Sequence, residues 1–345
     1  MQYKMLLWPH ANARYQQETL KLAASELRLM LDQLAPEVNI AGDEGFFMPA
    51  LTLECPEPLP EPVVDALRSH SLLYGLFECR ADGALIPVAG RAGAYLGDDL
   101  PAILKYKGKT NEMFLQLLIN AALYSSNFWE VADQPLELLD PMCGRATSLF
   151  VAVNRGWNAT GADVDKTDLK EAETFLKRYL EYHRFKYDMT RESRTLSKSK
   201  KAAPVTRFDF ADTPEHYRQK ETRRLSLANL DAAQTGDAYG KNAFHLIACD
   251  LPYGVRHEAQ LPQGAQRGRN WLESLLARAL PAWRDALKPG GALAVSFNAQ
   301  NFKRDRLCAL MAEAGLEVLT GDAYDHFSHW VEQAITRDIV VCRKG

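Results

Sequence analysis

The chain has 345 residues, of which 47% are hydrophobic and 25% charged, and its formal net charge is −3. This balance excludes a disordered tail, a collagen-like chain and a coiled-coil rod, and the length predicts two domains, or one large domain with a smaller appendage. A slightly acidic molecule does not hold nucleic acid by its overall field, so any such surface must be local.

The opening MQYKMLLW is a strand-like start that turns polar too early for a secretory signal. No apolar run reaches the roughly 18–20 residues of a membrane helix, so no membrane partner is expected. Residues 15–35 carry apolar side chains at helical spacing, FFMPALTLEC reads as a strand, PEPLPEP as a turn before the helix-like VVDALRSHSLLY, and LYGLFECR as a closing strand. Together they predict a small α+β domain over residues 1–95, an open sheet with helices on one face and no catalytic cluster. Residues 96–130, including KYKGKTNEMF, form a connector and an apolar helix. From residue 136 the short apolar runs LELLDP, ATGADV, LSLANL, FHLIACD, ALAVSF, LEVLTG and AITRDIVVC alternate with helical stretches. That alternation predicts a mostly parallel sheet with helices on both faces, and the closeness of the last two runs permits a terminal antiparallel hairpin.

Residues 186–224 are too long for an ordinary connection in that rhythm. Across 177–224 there are fourteen Lys and Arg against seven Asp and Glu, and the alternation in VTRFDFAD suggests a hairpin insertion. The segment is either a solvated loop or a basic flap on phosphates, with Lys198, Lys200 and Lys201 as its contacts. The six cysteines, Cys55, Cys79, Cys143, Cys249, Cys308 and Cys342, show no C-x-x-C pair and no zinc spacing. Free thiols in a reducing cytoplasm are expected, and no metal. His326, His329 and Trp330 cluster without a third spaced ligand.

LELLDPMCGRATSLF is a strand ending in Asp140, followed by a turn in which Gly144 permits close approach of the backbone to a ligand and Thr147 is placed to cap the next helix. It lacks the full G-x-G-x-x-G of dinucleotide sites. Asp163 ends the next strand nineteen positions after Gly144, where a carboxylate can accept from both hydroxyls of a ribose; Asp165 is the alternative, and either acid can instead cap the following helix. Asp231, after the strand LSLANL, can accept from an adenine amino group, with Asp209 in competition.

FHLIACDLPYGV delivers Asp250-Leu251-Pro252-Tyr253-Gly254 to the same sheet edge. The exocyclic amine of a base is a poor nucleophile because its lone pair is delocalised into the ring. The Asp250 carboxylate and a backbone carbonyl near Leu251 or Pro252 can hold both N–H groups and aim the nitrogen at an electrophilic methyl group. Pro252 stiffens the carbonyl, and Tyr253 is suited to stack on a base swung out of its helix. Arg256 and His257 follow as contacts to phosphate or base, or as solvent-facing residues. Pro289-Gly290-Gly291 is a structural junction. G-x-S-x-G, P-loop and H-E-x-x-H patterns are absent, against hydrolase and triphosphatase chemistry.

The ordered set DPMCGRAT, GADVD, a strand-end Asp and DLPYG resembles the class I S-adenosylmethionine-dependent methyltransferases that methylate amines. Within them it is most similar to the THUMP-associated tRNA guanine-N2-methyltransferases, whose usual forms are D-P-x-C-G-x-G-T and D-P-P-Y-G. KYKGKTNEMF and QAITRDIVV fit the same family over residues 100–345, whereas over 1–95 only HSLLYGLFE echoes its RNA-binding region, complete or reduced.

The resemblance implies a Rossmann-like class I methyltransferase fold: a mostly parallel seven-stranded sheet with a terminal antiparallel hairpin over residues 131–345, beside the small amino-terminal domain. It implies that Asp140, Cys143 and Gly144 line the methionine of the cofactor, Asp163 the ribose and Asp231 the adenine. Asp250, Pro252 and Tyr253, with Leu251 and Gly254, present the base, and Lys107, Lys109 and Thr110 lie near the cofactor or RNA entrance. Ala146 replaces the second glycine, a change expected to preserve binding because alanine is small. Leu251 replaces the usual proline, leaving the loop less rigid. The expected substrate is N2 of a tRNA guanosine; adenine N6 or a ribosomal guanine are rivals, as is a non-catalytic RNA-binding protein.

Overall fold

The computed structural model describes residues 1–10, 12–42, 47–196, 200–252 and 271–345. The chain divides into two units, residues 1–93 with 320–339, and residues 94–319 with 340–345.

The first unit begins with β1 (Gln2–Leu7), α1 (Ala13–Leu34), β2 (Asn39–Gly42), β3 (Ala50–Glu54), α2 (Glu61–Leu67), β4 (Leu73–Cys79) and β5 (Leu85–Ala89). Its sheet has the order β2-β3-β1-β4-β5 with every pairing among the described residues antiparallel, a split βαβ arrangement closed by β5. Asn12 starts α1 by accepting from the Tyr15 N–H at 3.2 Å, and the helix buries Leu22, Ala23, Leu27, Met30 and Leu31. Glu26, 1% exposed, is tolerated there because the Ser71 N–H (2.9 Å) and hydroxyl both donate to its carboxylate, with His70 Nε2 3.5 Å away.

The second unit holds α3 (Leu100–Ile103), α4 (Glu112–Tyr124), β6 (Glu137–Asp140), α5 (Thr147–Asn154), β7 (Asn158–Asp163), α6 (Lys166–Tyr182), β8 (Lys186–Thr195), β9 (Ala202–Ala211), α7 (Pro214–Arg218), β10 (Arg223–Asn229), α8 (Thr235–Tyr239), β11 (Phe244–Asp250), α9 (Trp271–Ala286), β12 (Leu287–Asn298), α10 (Arg304–Glu313) and β13 (Glu317–Val318). β14 (His329–Glu332) and β15 (Ile335–Arg343) follow.

The large sheet runs β13-β15-β12-β11-β6-β7-β10-β9-β8, with β14 paired on β15, ten strands among the described residues where seven are expected. β12, β11, β6, β7 and β10 are mutually parallel, β13 pairs antiparallel with β15, and β8 and β9 are the antiparallel insertion that lengthens the sheet. The apolar runs become parallel strands because both their faces are covered. α4, buried nearly all round, packs with α5 against the central strands, while α8, α9 and α10 pack together. Trp283, fully buried, donates its indole N–H to the Ala232 carbonyl at 2.9 Å in a core that includes Ile247, Leu276, Leu293 and Phe297.

The sequence reading places residues 320–339 in the catalytic domain, but they group with the first unit. The reason is a set of contacts with α1: Ser25 Oγ donates to the His326 carbonyl (3.3 Å), the Trp330 N–H to Glu18 (3.2 Å), and the Arg14 guanidinium lies 4.0 Å over the Trp330 ring. Such long-range pairings leave no local pattern in the chain. Among the described residues, no helix is long and apolar enough to cross a membrane and no group of three His, Cys, Asp or Glu is arranged to hold a metal.

Gly161 on β7, opposite Asp140, sets how closely α5 approaches the sheet. A methyl group there would come within 2.5 Å of Cys143 Sγ and 2.6 Å of Leu149 Cδ1. Gly161→Ala is therefore expected to lower stability by about 1–3 kcal/mol through overpacking, read as a lower urea midpoint at unchanged slope.

Candidate active site

The chain lays down β6, β7 and β10 in one direction and then places β11 and β12 on the other side of β6. β6 is followed by its neighbour β7 on one side and β11 by its neighbour β12 on the other, so the order reverses between β6 and β11, and in open α/β sheets ligands lie in the crevice beyond the carboxyl ends of the strands at such a point. Asp140, Asp163 and Asp250 end β6, β7 and β11 at this edge.

In the turn after β6, the Cys143 N–H donates to the Ala162 carbonyl at 3.0 Å and Gly144 adopts φ +50. A side-chain carbon at Gly144 would meet no atom of the described residues within 4 Å, and the glycine is required by its left-handed conformation. Ala146, buried and at φ 68, occupies the cap position of α5 in a left-handed conformation that costs an L-residue roughly 1–2 kcal/mol. The expected cap at Thr147 is thereby corrected: Thr147 is the first residue inside the helix, and its hydroxyl lies 3.4 Å from that of Tyr106. Small size is also not what the replaced glycine position demands; freedom of φ is. Cys143 turns its sulfur onto Gly161 instead of outward, and burial, then Asp163 and Asp140, push its thiol well up.

Asp140 is buried, with Oδ1 accepting from the Met142 N–H (3.0 Å) and Oδ2 from the Ser148 hydroxyl. Burial pushes its carboxyl up to about 7; those two bonds oppose the rise, and the nearby charges of Asp163 and Asp250 add to it. Asp163 accepts from the Gly144 N–H with Oδ2 and from the Asp165 N–H with Oδ1, both at 2.8 Å, and burial raises it as well. Asp165 caps α6, accepting from the Thr167 N–H (2.8 Å) and Asp168 N–H (3.3 Å), so the two acids divide the strand-end and cap places. Val164, which the sequence reading passed over, keeps an apolar side chain 50% exposed beside them.

Asp231 follows β10 and accepts from the Ala233 N–H at 2.9 Å, with Arg278 3.9 Å away. Its competitor Asp209 pairs across the sheet with Arg224, at the amino end of β10, and is held by Arg207 at 2.6 and 2.7 Å. Asp250 accepts from the Thr110 hydroxyl at 2.5 Å. The Leu251 side chain is buried, leaving its main chain to act, and its N–H donates to the Ser296 carbonyl at 2.8 Å. A proline lacks that N–H, so the bond to β12 restores the rigidity that the substitution was expected to remove. Pro252 is half-buried. Tyr253, Gly254, Arg256, His257 and Lys198 lie outside the described residues.

Lys109 faces inward: its ammonium donates to the Pro101 (2.6 Å) and Ala102 (3.3 Å) carbonyls and lies 3.3 Å from Glu112, whereas Lys107 is exposed. Tyr106 sits under the Arg145 guanidinium, 4.6 Å from its ring centre, and Arg145 is held by Asp168 at 2.8 Å. Tyr106, Arg145 and Ser148 leave no spacing signal, whereas an apolar Val164 beside a strand-end acid does.

β9 pairs antiparallel with β10, Val205 opposite Ala228, so Ala202 at the start of β9 lies past the carboxyl end of β10, on the crevice edge. Leu196, just after β8, packs in a cluster with Ala162, Val205, Ala228 and Leu230, and Lys200 and Lys201 are exposed. Lower in the insertion the basic side chains meet acids: Arg191 with Glu173 (2.7 Å), Arg194 with Glu192 (3.9 Å) and Arg218 with Glu215.

No protein-family model matches the chain, and no curated protein does. Solved structures similar to it include a TehB-like SAM-dependent methyltransferase from Corynebacterium glutamicum (16% identity, TM-score 0.35, 65% of this chain and 86% of that one). Others are a precorrin-6y C5,15-methyltransferase from Geobacter metallireducens (10%, 0.41, 72% and 98%) and a Burkholderia thailandensis 1,6-didemethyltoxoflavin-N1-methyltransferase with S-adenosylhomocysteine bound (12%, 0.36, 66% and 77%). Identities and scores this low transfer neither reaction nor substrate.

Because folded Asp140 holds its proton up to about pH 7 while an unfolded aspartate releases it near 4, the folded state binds more protons in that window, and stability falls as pH rises through it. Asp140→Asn is expected to stabilise the chain at pH 8 and to lose that advantage near pH 4, checked by urea unfolding at both values.

Proposed function

We propose that the chain is an S-adenosylmethionine-dependent methyltransferase acting on the exocyclic amine of a base in RNA, N2 of a guanosine in tRNA. The observation that carries this reading is Asp250-Leu251-Pro252 at the end of β11, across the crevice from the Gly144 turn and Asp163. The site suits a cationic nucleoside. Asp163 and Asp250 lie near enough to Asp140 to disfavour its charge, and no described residue crowds the Gly144 turn. Gly144 and Asp140 would hold the methionine portion, Asp163 the ribose through its remaining lone pairs, and Val164 and Asp231 the adenine. When bound, S-adenosylmethionine supplies an electrophilic methyl group.

The chain's own residues present the amine. The Asp250 carboxylate and the carbonyl of Leu251 or Pro252 accept its two N–H bonds, which turns the nitrogen lone pair out of conjugation. Tyr253 is assigned the stack on the base, and Gly254 the close approach beside it. Asp250 or solvent takes the proton that the amine sheds. Positioning supplies most of the rate. RNA as the substrate is supported by the exposed Lys200 and Lys201, just before β9 on the crevice edge, and by the exposed Lys107 on the connector; Lys198 is assigned the same role. A split βαβ sheet is also a form that RNA-binding modules take, which supports the same role for the first unit. None of the six cysteines forms a disulfide, which suits a reducing cytoplasm.

The direct test offers labelled S-adenosylmethionine with unmodified tRNA, ribosomal RNA and DNA separately and identifies the labelled nucleoside. N2-methylguanosine from tRNA is expected, N6-methyladenine would replace the substrate, and absence of cofactor binding would overturn the reading. Asp250→Ala should cut transfer by about 100-fold or more while leaving cofactor affinity intact, and Asp163→Ala should weaken cofactor binding first, both checked by calorimetry beside the transfer assay. Lys200→Ala with Lys201→Ala should weaken tRNA binding and reduce its salt slope by about 1–2, measured between low and moderate salt.

A further inference from the structure

We propose that Thr110 is a positioning residue for Asp250, an inference that rests on the amine-methylation reading. Its hydroxyl donates to Asp250 Oδ2 at 2.5 Å across 140 residues of sequence. A carboxylate turns easily about its Cβ–Cγ bond, and an acceptor for two-pronged presentation of an amine is useful only if its lone pairs keep one direction. Anchoring Oδ2 stops that rotation.

The anchor is itself held on both sides. Lys109, immediately before Thr110, is tied to the carbonyls of Pro101 and Ala102 and to Glu112. Asn111, immediately after it, caps α4, accepting from the Met113 N–H (2.8 Å) and the Phe114 N–H (3.3 Å). α4 is buried along almost its whole length. Thr110 therefore reaches Asp250 from a segment with little freedom to follow it. Four residues earlier, the Tyr106 hydroxyl lies 3.4 Å from that of Thr147, so one short strap touches both the start of α5 and the end of β11. A threonine in a surface loop could instead serve packing alone, and the methyl group retained by valine separates that role from hydrogen bonding.

Thr110→Val and Thr110→Ser test the assignment in the full chain, with transcribed tRNA as substrate and S-adenosylhomocysteine as the cofactor probe. Thr110→Val should lower kcat by about 10- to 100-fold with KM and S-adenosylhomocysteine affinity within about twofold of wild type, and Thr110→Ser should restore kcat. Unchanged kcat in Thr110→Val overturns the proposal, as does a change confined to KM or to cofactor affinity. The side-chain carboxyl 13C resonance of Asp250, assigned through Asp250→Asn, reports the bond without any turnover. It should move in Thr110→Val and stay near its place in Thr110→Ser. If wild type transfers no methyl group to any nucleic acid, the amine-methylation reading falls, and with it the catalytic purpose assigned to Thr110, whatever the resonance shows. If transfer occurs and the resonance does not move, only the Thr110 proposal falls.

Discussion

Asp163 joins three strand ends. One carboxylate oxygen takes the Gly144 N–H from the turn after β6, and the other takes the Asp165 N–H from its own turn. Its main-chain carbonyl accepts from the Leu230 N–H and the Asn229 side chain at the end of β10. A buried carboxylate is costly unless its lone pairs are used, and here the same bonds that satisfy it set the relative heights of three neighbouring turns. The crevice rim on that side is thus a consequence of how one charge is kept in a largely buried place. Gly161 extends the constraint downward, since the missing side chain lets Cys143 and α5 settle onto the sheet beneath the rim.

Period-two and continuous apolar runs made the parallel strands legible, and acids at their ends were legible as site residues because strand ends on one edge must converge. What stayed hidden was of two kinds. Thr147 looks like a helix cap because its hydroxyl is the right group, but the left-handed backbone at Ala146 takes that position, and φ is not written in composition. Thr110 and Asp250, or Glu18 and Trp330, meet across long separations, and nothing local announces a partner so far away. Lys109 belongs to the same kind: beside Lys107 it looks like another surface cation, and only the fold shows it closing the carbonyls of α3.

The insertion shows how a charge count differs from a charged surface. Its excess of basic residues is large along the chain, but pairing with acids on α6 and within the hairpin uses much of it, so the field that reaches solvent on the crevice edge comes from fewer side chains than the count suggests. Leu196 matters here in a different way. By burying itself among Ala162, Ala228 and Leu230 it makes the end of β8 part of the wall beside Asp163, so the insertion strands and the site share one packed boundary.

Residues 320–339 bear on how the protein is made. α1 emerges from the ribosome more than 280 residues before the segment that supplies its contacts at Glu18 and Ser25, and the last strand of the other unit is synthesised later still. Neither unit can complete its native pairing until residues 320–345 have been made, so both wait on the same late stretch for their final consolidation. For that interval the nascent amino-terminal unit presents a helix surface meant for Trp330, a surface that a chaperone, or another nascent copy, meets before the chain's own carboxyl-terminal segment does.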